Sequence, residues 1–215
     1  AAAPLIHLNL GDSNRYFQLI GNKIFVNVLN GDNWEFGPKV VYRFGRKTVK
    51  DVVVNNMIDV DDSVEVGAFL GYRKRFGNNP RHRMNIHIDA TQDVADGHEG
   101  FVAQLSGVYW LPVARRLDIG LRGSAIYGSE DYMSSFFDVT AGDSILSSLP
   151  QYDANAGFRD VSVSVMALLH LNRAWHIGGG AEFKRLLGNA ADSPVVDQRG
   201  DENQISAGVS LIYSW

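Results

Sequence analysis

Three observations predict an all-β fold, a transmembrane antiparallel up-and-down β-barrel of about ten strands. The first is alternation at the C-terminal end of the chain. Within residues 203–215, Ile205, Ala207, Val209, Leu211, Tyr213 and Trp215 share one face of an extended strand, and Gln204, Ser206, Gly208, Ser210 and Ser214 share the other. Only Ile212 breaks the pattern. A half-buried strand of a soluble sandwich alternates in the same way, so this segment alone does not separate the two. The second observation is that no apolar run reaches the ~18 residues of a membrane helix, which excludes a helical span. A hydrophobic fraction of 45% fits a barrel, in which inward polar residues dilute the lipid-facing ones. The third observation, the sorting of connections and aromatics to opposite ends, emerges from the segments in order.

Pro4 to Leu10 alternates weakly. Arg15 to Asn30 changes phase near Gly21 and Asn22: Phe17 and Leu19 hold one parity, Ile24, Val26 and Val28 the other. A bulge at the glycine keeps this as one strand, whereas a tight turn makes it two and the total odd. Trp34 to Phe44 sets Trp34, Phe36, Pro38, Val40, Tyr42 and Phe44 against Glu35, Gly37, Lys39 and Arg43. Ser63 to Phe76 sets Val64, Val66, Ala68, Leu70 and Tyr72 against Glu65, Gly67, Gly71 and Arg73. In Arg81 to Val94, Met84, Ile86, Ile88 and Ala90 oppose Asn85, His87, Asp89 and Thr91. Phe101 to Leu111 carries Phe101, Ala103, Leu105, Gly107, Tyr109 and Leu111 on its apolar parity. Arg116 to Tyr127 places Leu117, Ile119, Leu121 and Ala125 against Arg116, Asp118, Arg122 and Ser124. Phe158 to Leu171 and Ala174 to Leu187 form a hairpin across Asn172 and Arg173, the second strand setting Trp175, Ile177, Ala181 and Phe183 against His176, Glu182 and Lys184. Residues 128–157 lack alternation, and Ser144 to Leu149 reads as a helical turn within them.

Residues 31–33, 77–80, 112–115 and 172–173 are short connections, and 45–61, 128–157 and 188–202 are long. Outer-membrane barrels put short turns in the periplasm and long loops outside. On that assignment Trp34, Trp110, Trp175 and Trp215 all sit at short-turn ends, joined by Phe76, Tyr109 and Tyr213. Tyr42, Phe44, Phe101, Tyr127 and Phe183 sit at the opposite ends. Two aromatic girdles result, with Trp34, Trp110, Trp175, Tyr213 and Trp215 marking the short-turn one. A soluble sandwich has no reason to sort tryptophans to one end, so the membrane barrel is favoured.

Charge sorts along the same axis. Arg73, Lys74, Arg75, Arg81, Arg83, Arg115, Arg116 and Arg173 form a basic rim on the short-turn side, with Asp32 as exception. The long-loop side is acidic, including Asp59, Asp61, Asp62, Asp93, Asp96, Glu99, Asp143 and Asp192. The basic rim meets either anionic lipid heads or an acidic partner. Lys39, Arg43, Glu65, Arg73, His87 and Asp89 are expected to line the lumen. Arg116, Asp118, Arg122, Glu182 and Lys184 complete that lining. Opposite charges at similar depth pair across a narrow barrel and fill it, and hydrated ones line a small ion path. A barrel of about ten to twelve strands leaves little clear width, which predicts a largely plugged lumen with at most small conductance.

No Pro/Gly/Ser-rich linker divides the chain, so residues 1–215 are read as a single domain. Cysteine is absent, removing disulfides and thiol chemistry. The Ala-Ala-Ala-Pro opening is compatible with signal cleavage and with a cloning remnant. A net charge of −4 gives no reason to expect nucleic acid.

Gly37-Pro38 with Tyr42-Arg43 and Gly45-Arg46, then Val64-Glu65-Val66-Gly67, then Tyr132-Met133 with Phe136, Phe137 and Val139, make a series of motifs. The most specific runs from Leu187 through Gly188-Asn189-Ala190-Ala191-Asp192-Ser193-Pro194 to Val195-Val196 and on to Asn203-Gln204. Over roughly residues 34–215 the chain resembles the MltA-interacting protein (MipA)/OmpV family of Gram-negative outer-membrane proteins. That resemblance implies a non-enzymatic barrel in the cell outer membrane. Its implied role is a scaffold joining a murein lytic transglycosylase to a murein synthase, or a porin or adhesin. Family members carry a further aromatic and glycine-rich segment before the counterpart of Pro4; a hairpin there makes about twelve strands instead of ten.

The same residues give little support to a catalytic site. His98 and Glu99, with Asp93 and Asp96, fall at the long-loop rim, but no serine spacing completes a triad. His82, His87, His170 and His176 show no metal-binding spacing. Asp192-Ser193-Pro194 reads as an ordered turn. The expectation is no catalytic residue, no metal, no cofactor, and outer-membrane lipid plus periplasmic murein enzymes as partners.

Overall fold

The structure is a computed structural model and describes residues 4–214. Eleven strands form one sheet in chain order, each antiparallel to the next. They are β1 (Leu5–Asn9), β2 (Tyr16–Ile20), β3 (Lys23–Asn27), β4 (Trp34–Arg43), β5 (Ser63–Arg75) and β6 (Arg83–Asp93). β7 (Phe101–Ala114), β8 (Leu117–Gly128), β9 (Gly157–His170), β10 (Trp175–Leu186) and β11 (Asn203–Tyr213) follow. The all-β, antiparallel, up-and-down expectation holds, and the count is corrected from ten to eleven. The difference arises at Gly21: its φ of +58° lets Gly21 and Asn22 close a two-residue hairpin, pairing Ile20 with Lys23. The phase change is therefore a turn between β2 and β3.

Alternation builds two unlike faces. Phe36, Val66, Leu70, Ile88, Leu105, Leu121, Val163, Val165, Ile177 and Val209 project from the outer face and are exposed, so the belt is apolar from strand to strand. The inner face buries Glu35, Lys39, Glu65, Asp89, Asp118 and Asp160 beside Phe69. The sheet curls enough for side chains two strands apart to meet on its inner face: Lys39 of β4 pairs with Asp89 of β6, and the ring centres of Phe25 on β3 and Phe69 on β5 lie 5.4 Å apart. Close strand approach accompanies the curl: a Cβ on Gly37 would lie 1.9 Å from the Val26 carbonyl oxygen, so only glycine fits there.

β1 and β11 are the two edges. Because every neighbouring pair is antiparallel and both strands are odd-numbered, they run in the same direction. A cleft of about 740 Å³ lies between Leu5–Asn9 and Ser210–Ser214.

The long connections carry short helices: α1 (Val52–Asn55), α2 (Glu130–Phe137), α3 (Ala141–Ser147), α4 (Gly188–Asp192) and α5 (Pro194–Asp197). The helical turn expected at Ser144 to Leu149 begins earlier, because Thr140 and Asp143 make a reciprocal capping box that starts α3 at Ala141. No described helix is long and apolar enough to cross a membrane.

Candidate functional site: a charged interior, a folded cap and a basic rim

The inner face is arranged in tiers of paired charge. Nearest the short turns, Asp118 lies 3.0 Å from Arg81 and 2.9 Å from His170 Nε2. His170 Nδ1 is 2.8 Å from His176 Nδ1, and His176 Nε2 is 3.2 Å from Ser214 Oγ. Next, Glu35 pairs with Arg73, and its other oxygen lies 3.0 Å from His87 Nε2. Lys39 pairs with Asp89 at mid-depth and lies over the Phe25 ring. Toward the long loops Glu65, fully buried, receives Arg43, Thr91 Oγ1 at 2.7 Å and His98 Nε2 at 3.0 Å. On the β9–β10 wall, Glu182 accepts from Ser164 at 3.1 Å and lies 3.9 Å from Lys184. Each carboxylate that alternation buries has thus been given a cation or several donors, which offsets its desolvation cost.

The long loops fold into a cap over one mouth. Tyr132 and Met133 of α2 are buried with Val102, Ala154, Leu186, Ala190 and Val196. Tyr132 stands between two cations: the guanidinium carbon of Arg43 is 5.0 Å from its ring centre, and Arg159 donates to its hydroxyl. A second cluster joins Val54 and Met57 of the β4–β5 loop to Val139 and Leu149 of the β8–β9 loop. Polar links cross the same seams. Asp51 caps α1 and pairs with Arg199 at 2.6 Å, the Asp143 carboxylate accepts from the Ile58 amide at 2.7 Å, and Ser193 Oγ donates to the Phe137 carbonyl at 2.5 Å. The Arg199 bond holds the Asp51 carboxyl below its ordinary range.

Lys39, Arg43, Glu65, Arg73, His87, Asp89, Asp118, Glu182 and Lys184 lie on the inner face of the sheet, and Arg122 projects inward yet remains exposed. Arg116 is corrected: it lies in the β7–β8 turn and is exposed, because β8 begins only at Leu117. Of the basic rim, Lys74, Arg75, Arg115, Arg116 and Arg173 face solvent. Arg73 and Arg81 are committed to Glu35 and Asp118, and Arg83 lies 5.7 Å from the Trp110 ring centre. Among the girdle residues, Trp34 stacks edge-on with Tyr72 and Trp175 lies against Tyr213, all on the outer face. Trp110 is corrected. It faces inward, packed over Gly120, because it shares the parity of Val102 and Gln104. Trp215 lies outside the described residues.

The sequence reading missed the His170–His176 contact, although the hairpin places these residues opposite each other in register. It also missed His98 as an interior group. His98 is buried under the cap, and the Asp93 carboxylate accepts the amides of Ala95, His98 and Glu99 to shape its loop. No group of three or more histidine or acidic side chains suited to a metal occurs among the described residues.

An antiparallel sheet curled around paired charges, apolar outside and capped at one mouth, defines the class: an all-β barrel-type protein. The family model for MltA-interacting protein MipA matches residues 2–215, essentially the whole chain, and the protein belongs to that family. A search of the curated proteins found no match.

Proposed function

We propose that residues 1–215 form a single outer-membrane barrel domain of a Gram-negative bacterium, acting without catalysis as a scaffold through its short-turn rim. The observation that carries this reading is the outer belt: large apolar side chains are exposed on strand after strand around the outer face, a surface suited to lipid. Aromatic pairs at Trp34–Tyr72 and Trp175–Tyr213 suit the interface at the short-turn end. Membership in a family named for interaction with MltA supports that murein enzyme as one partner, and the scaffold role implied by the family resemblance adds a murein synthase as the other. The docking surface is the exposed set Lys74, Arg75, Arg115, Arg116 and Arg173, which would meet an acidic patch. The cell exterior, on this orientation, meets the capped mouth.

Binding of purified MltA to the detergent-folded protein tests this. The scaffold reading expects association that weakens as salt rises and is lost on combined reversal of Arg75, Arg115, Arg116 and Arg173 to Glu. Association unaffected by both, or none with correctly folded protein, contradicts it. The second reading, a narrow channel for ions or small solutes, is favoured by Arg122, which solvent reaches although it projects inward.

A further inference from the structure

The two edge strands use only half of their backbone. In β1, Pro4 accepts the Gly21 amide and the Leu10 amide donates to Arg15, so the even-numbered residues bond β2. In β11, Glu202 accepts the Leu186 amide and the Ser214 amide donates to Ala174, so the even-numbered residues bond β10. The backbone N–H and C=O groups of Leu5 and His7, and of Ala207, Val209 and Leu211, therefore face the free edges, where no described strand pairs with them. Val209 is 89% exposed against 60% for Val163 within the sheet, as expected where a neighbouring strand is missing. Open ladder groups are tolerated in water, but open sheet edges do not occur in lipid.

We propose that the cleft between β1 and β11 is a docking site for one extended segment of a partner polypeptide, inserted antiparallel to both edges. Three features define the occupant. Both edges run from the long-loop side to the short-turn side, so a single strand running the opposite way pairs with each as every other neighbour in the sheet does. A second copy lying the same way up in the membrane offers only edges that run with β1 and β11, so it cannot supply that strand. Size is the second feature. With a rise of ~3.4 Å, ~4.8 Å between strands and ~10 Å across the sheet, one strand residue fills roughly 160 Å³. The cleft of about 740 Å³ then holds about five residues of one strand, the length of β1. The third feature is pattern: Ile6, Leu8 and Leu211 point outward, whereas Ser210 and His7, which packs on buried Tyr16, point inward. The segment that fits alternates apolar residues with small or polar ones and carries no proline at its ladder positions. Main-chain bonds to two edges at once supply its affinity. The inference rests on the membrane reading of the outer belt and shares no residue with the basic rim.

The test is disulfide cross-linking in phosphatidylcholine vesicles, using the absence of cysteine from the chain. Ile6→Cys and Leu211→Cys mark the two edges, and Leu121→Cys marks the outer face within the sheet. The probe is a synthetic peptide of residues 175–185, a sequence that already pairs antiparallel with β11, carrying Ile177→Cys in the position that faces Leu211. Cross-linking at positions 6 and 211 should exceed that at position 121 by about tenfold or more. Val209→Pro removes an amide that the fold leaves unused and should lower cross-linking at position 6 by a similar factor. Heat-dependent gel mobility checks folding; if Val209→Pro does not fold, His7→Pro, read at position 211, replaces it. Equal cross-linking at all three positions overturns the proposal, because the peptide then only adsorbs to the belt. A disulfide formed without peptide between Ile6→Cys and Leu211→Cys, within one chain or between two, overturns it by showing that the edges close on each other. Chains that fail to float with the vesicles overturn the membrane reading and the proposal together, whereas floated chains that form no cross-link overturn the proposal alone.

Discussion

The two mouths of the sheet are built from different materials. At the short-turn mouth the strands are joined by connections such as Gly77–Pro80 and Asn172–Arg173, and the exposed residues are cationic. What fills that end is mainly polar: Arg81, Asp118, His170, His176 and Ser214 lie in one hydrogen-bonded and ion-paired line. At the long-loop mouth three connections give up strand structure and pool their apolar side chains into two clusters around Met133 and Leu149. The cap therefore has a hydrophobic core of its own, whereas the opposite mouth sets a charged network beside the inward Trp110. A core assembled from loops resists opening by close packing, and a network yields to changes in charge.

That contrast can be broken at several points. The largest effect is expected where cap and interior meet. Glu65→Ala strips the buried partner from Arg43 and His98 together and should cost about 3–5 kcal/mol in denaturant unfolding of the detergent-folded protein. Unchanged stability would mean that the Arg43–Glu65 tier is not what holds the cap to the strands. Met133→Ala empties a fully buried position in the cap and should cost about 2–5 kcal/mol. Proteolysis should then attack residues 129–156 while the strands survive, and planar-bilayer recordings should show openings absent from the unsubstituted chain.

A smaller effect is expected from acid. The Asp51 carboxyl is held below its ordinary range by Arg199, with the Val54 amide also donating to it. A carboxylate depressed in the folded state stabilises at pH above its unfolded value and loses that contribution as pH falls through the folded one. Acidification below about pH 4 should therefore loosen the junction between residues 45–61 and 188–202 before the strands open, as read by amide exchange. Asp51→Asn should remove this step while leaving the strands' protection unchanged. The smallest effect is expected at the rim: Arg173→Glu alone should leave unfolding within about 0.5 kcal/mol of the parent while weakening partner association.

The strands were legible because an inner charge and an outer aliphatic residue at every second position leave a period-two trace, as at Lys39, Arg43 and Glu65. The hairpin at Gly21 was legible only as a choice between bulge and turn, since both shift the phase. The aromatic identity of Trp110 suggests a girdle position, although the outward parity of its neighbours Tyr109 and Leu111 points it inward. The cap was hidden for a physical reason. Helices as short as α1 and α5 complete about one turn, too little for a 3.6-residue period to show. Contacts such as Asp51 with Arg199 join residues far apart in sequence.

The central claim is that the capped mouth faces outward and the basic mouth faces the periplasm across a membrane. The chain contains no cysteine, so single substitutions Ile145→Cys in the exposed part of α3 and Arg173→Cys in the β9–β10 turn provide clean probes of the two mouths. Both would be labelled with a membrane-impermeant thiol reagent on intact Gram-negative cells producing the protein. The account predicts reaction at position 145 on intact cells, and at position 173 only after the outer membrane is permeabilised. Labelling of position 173 alone on intact cells, or equal labelling of both before permeabilisation, would contradict it.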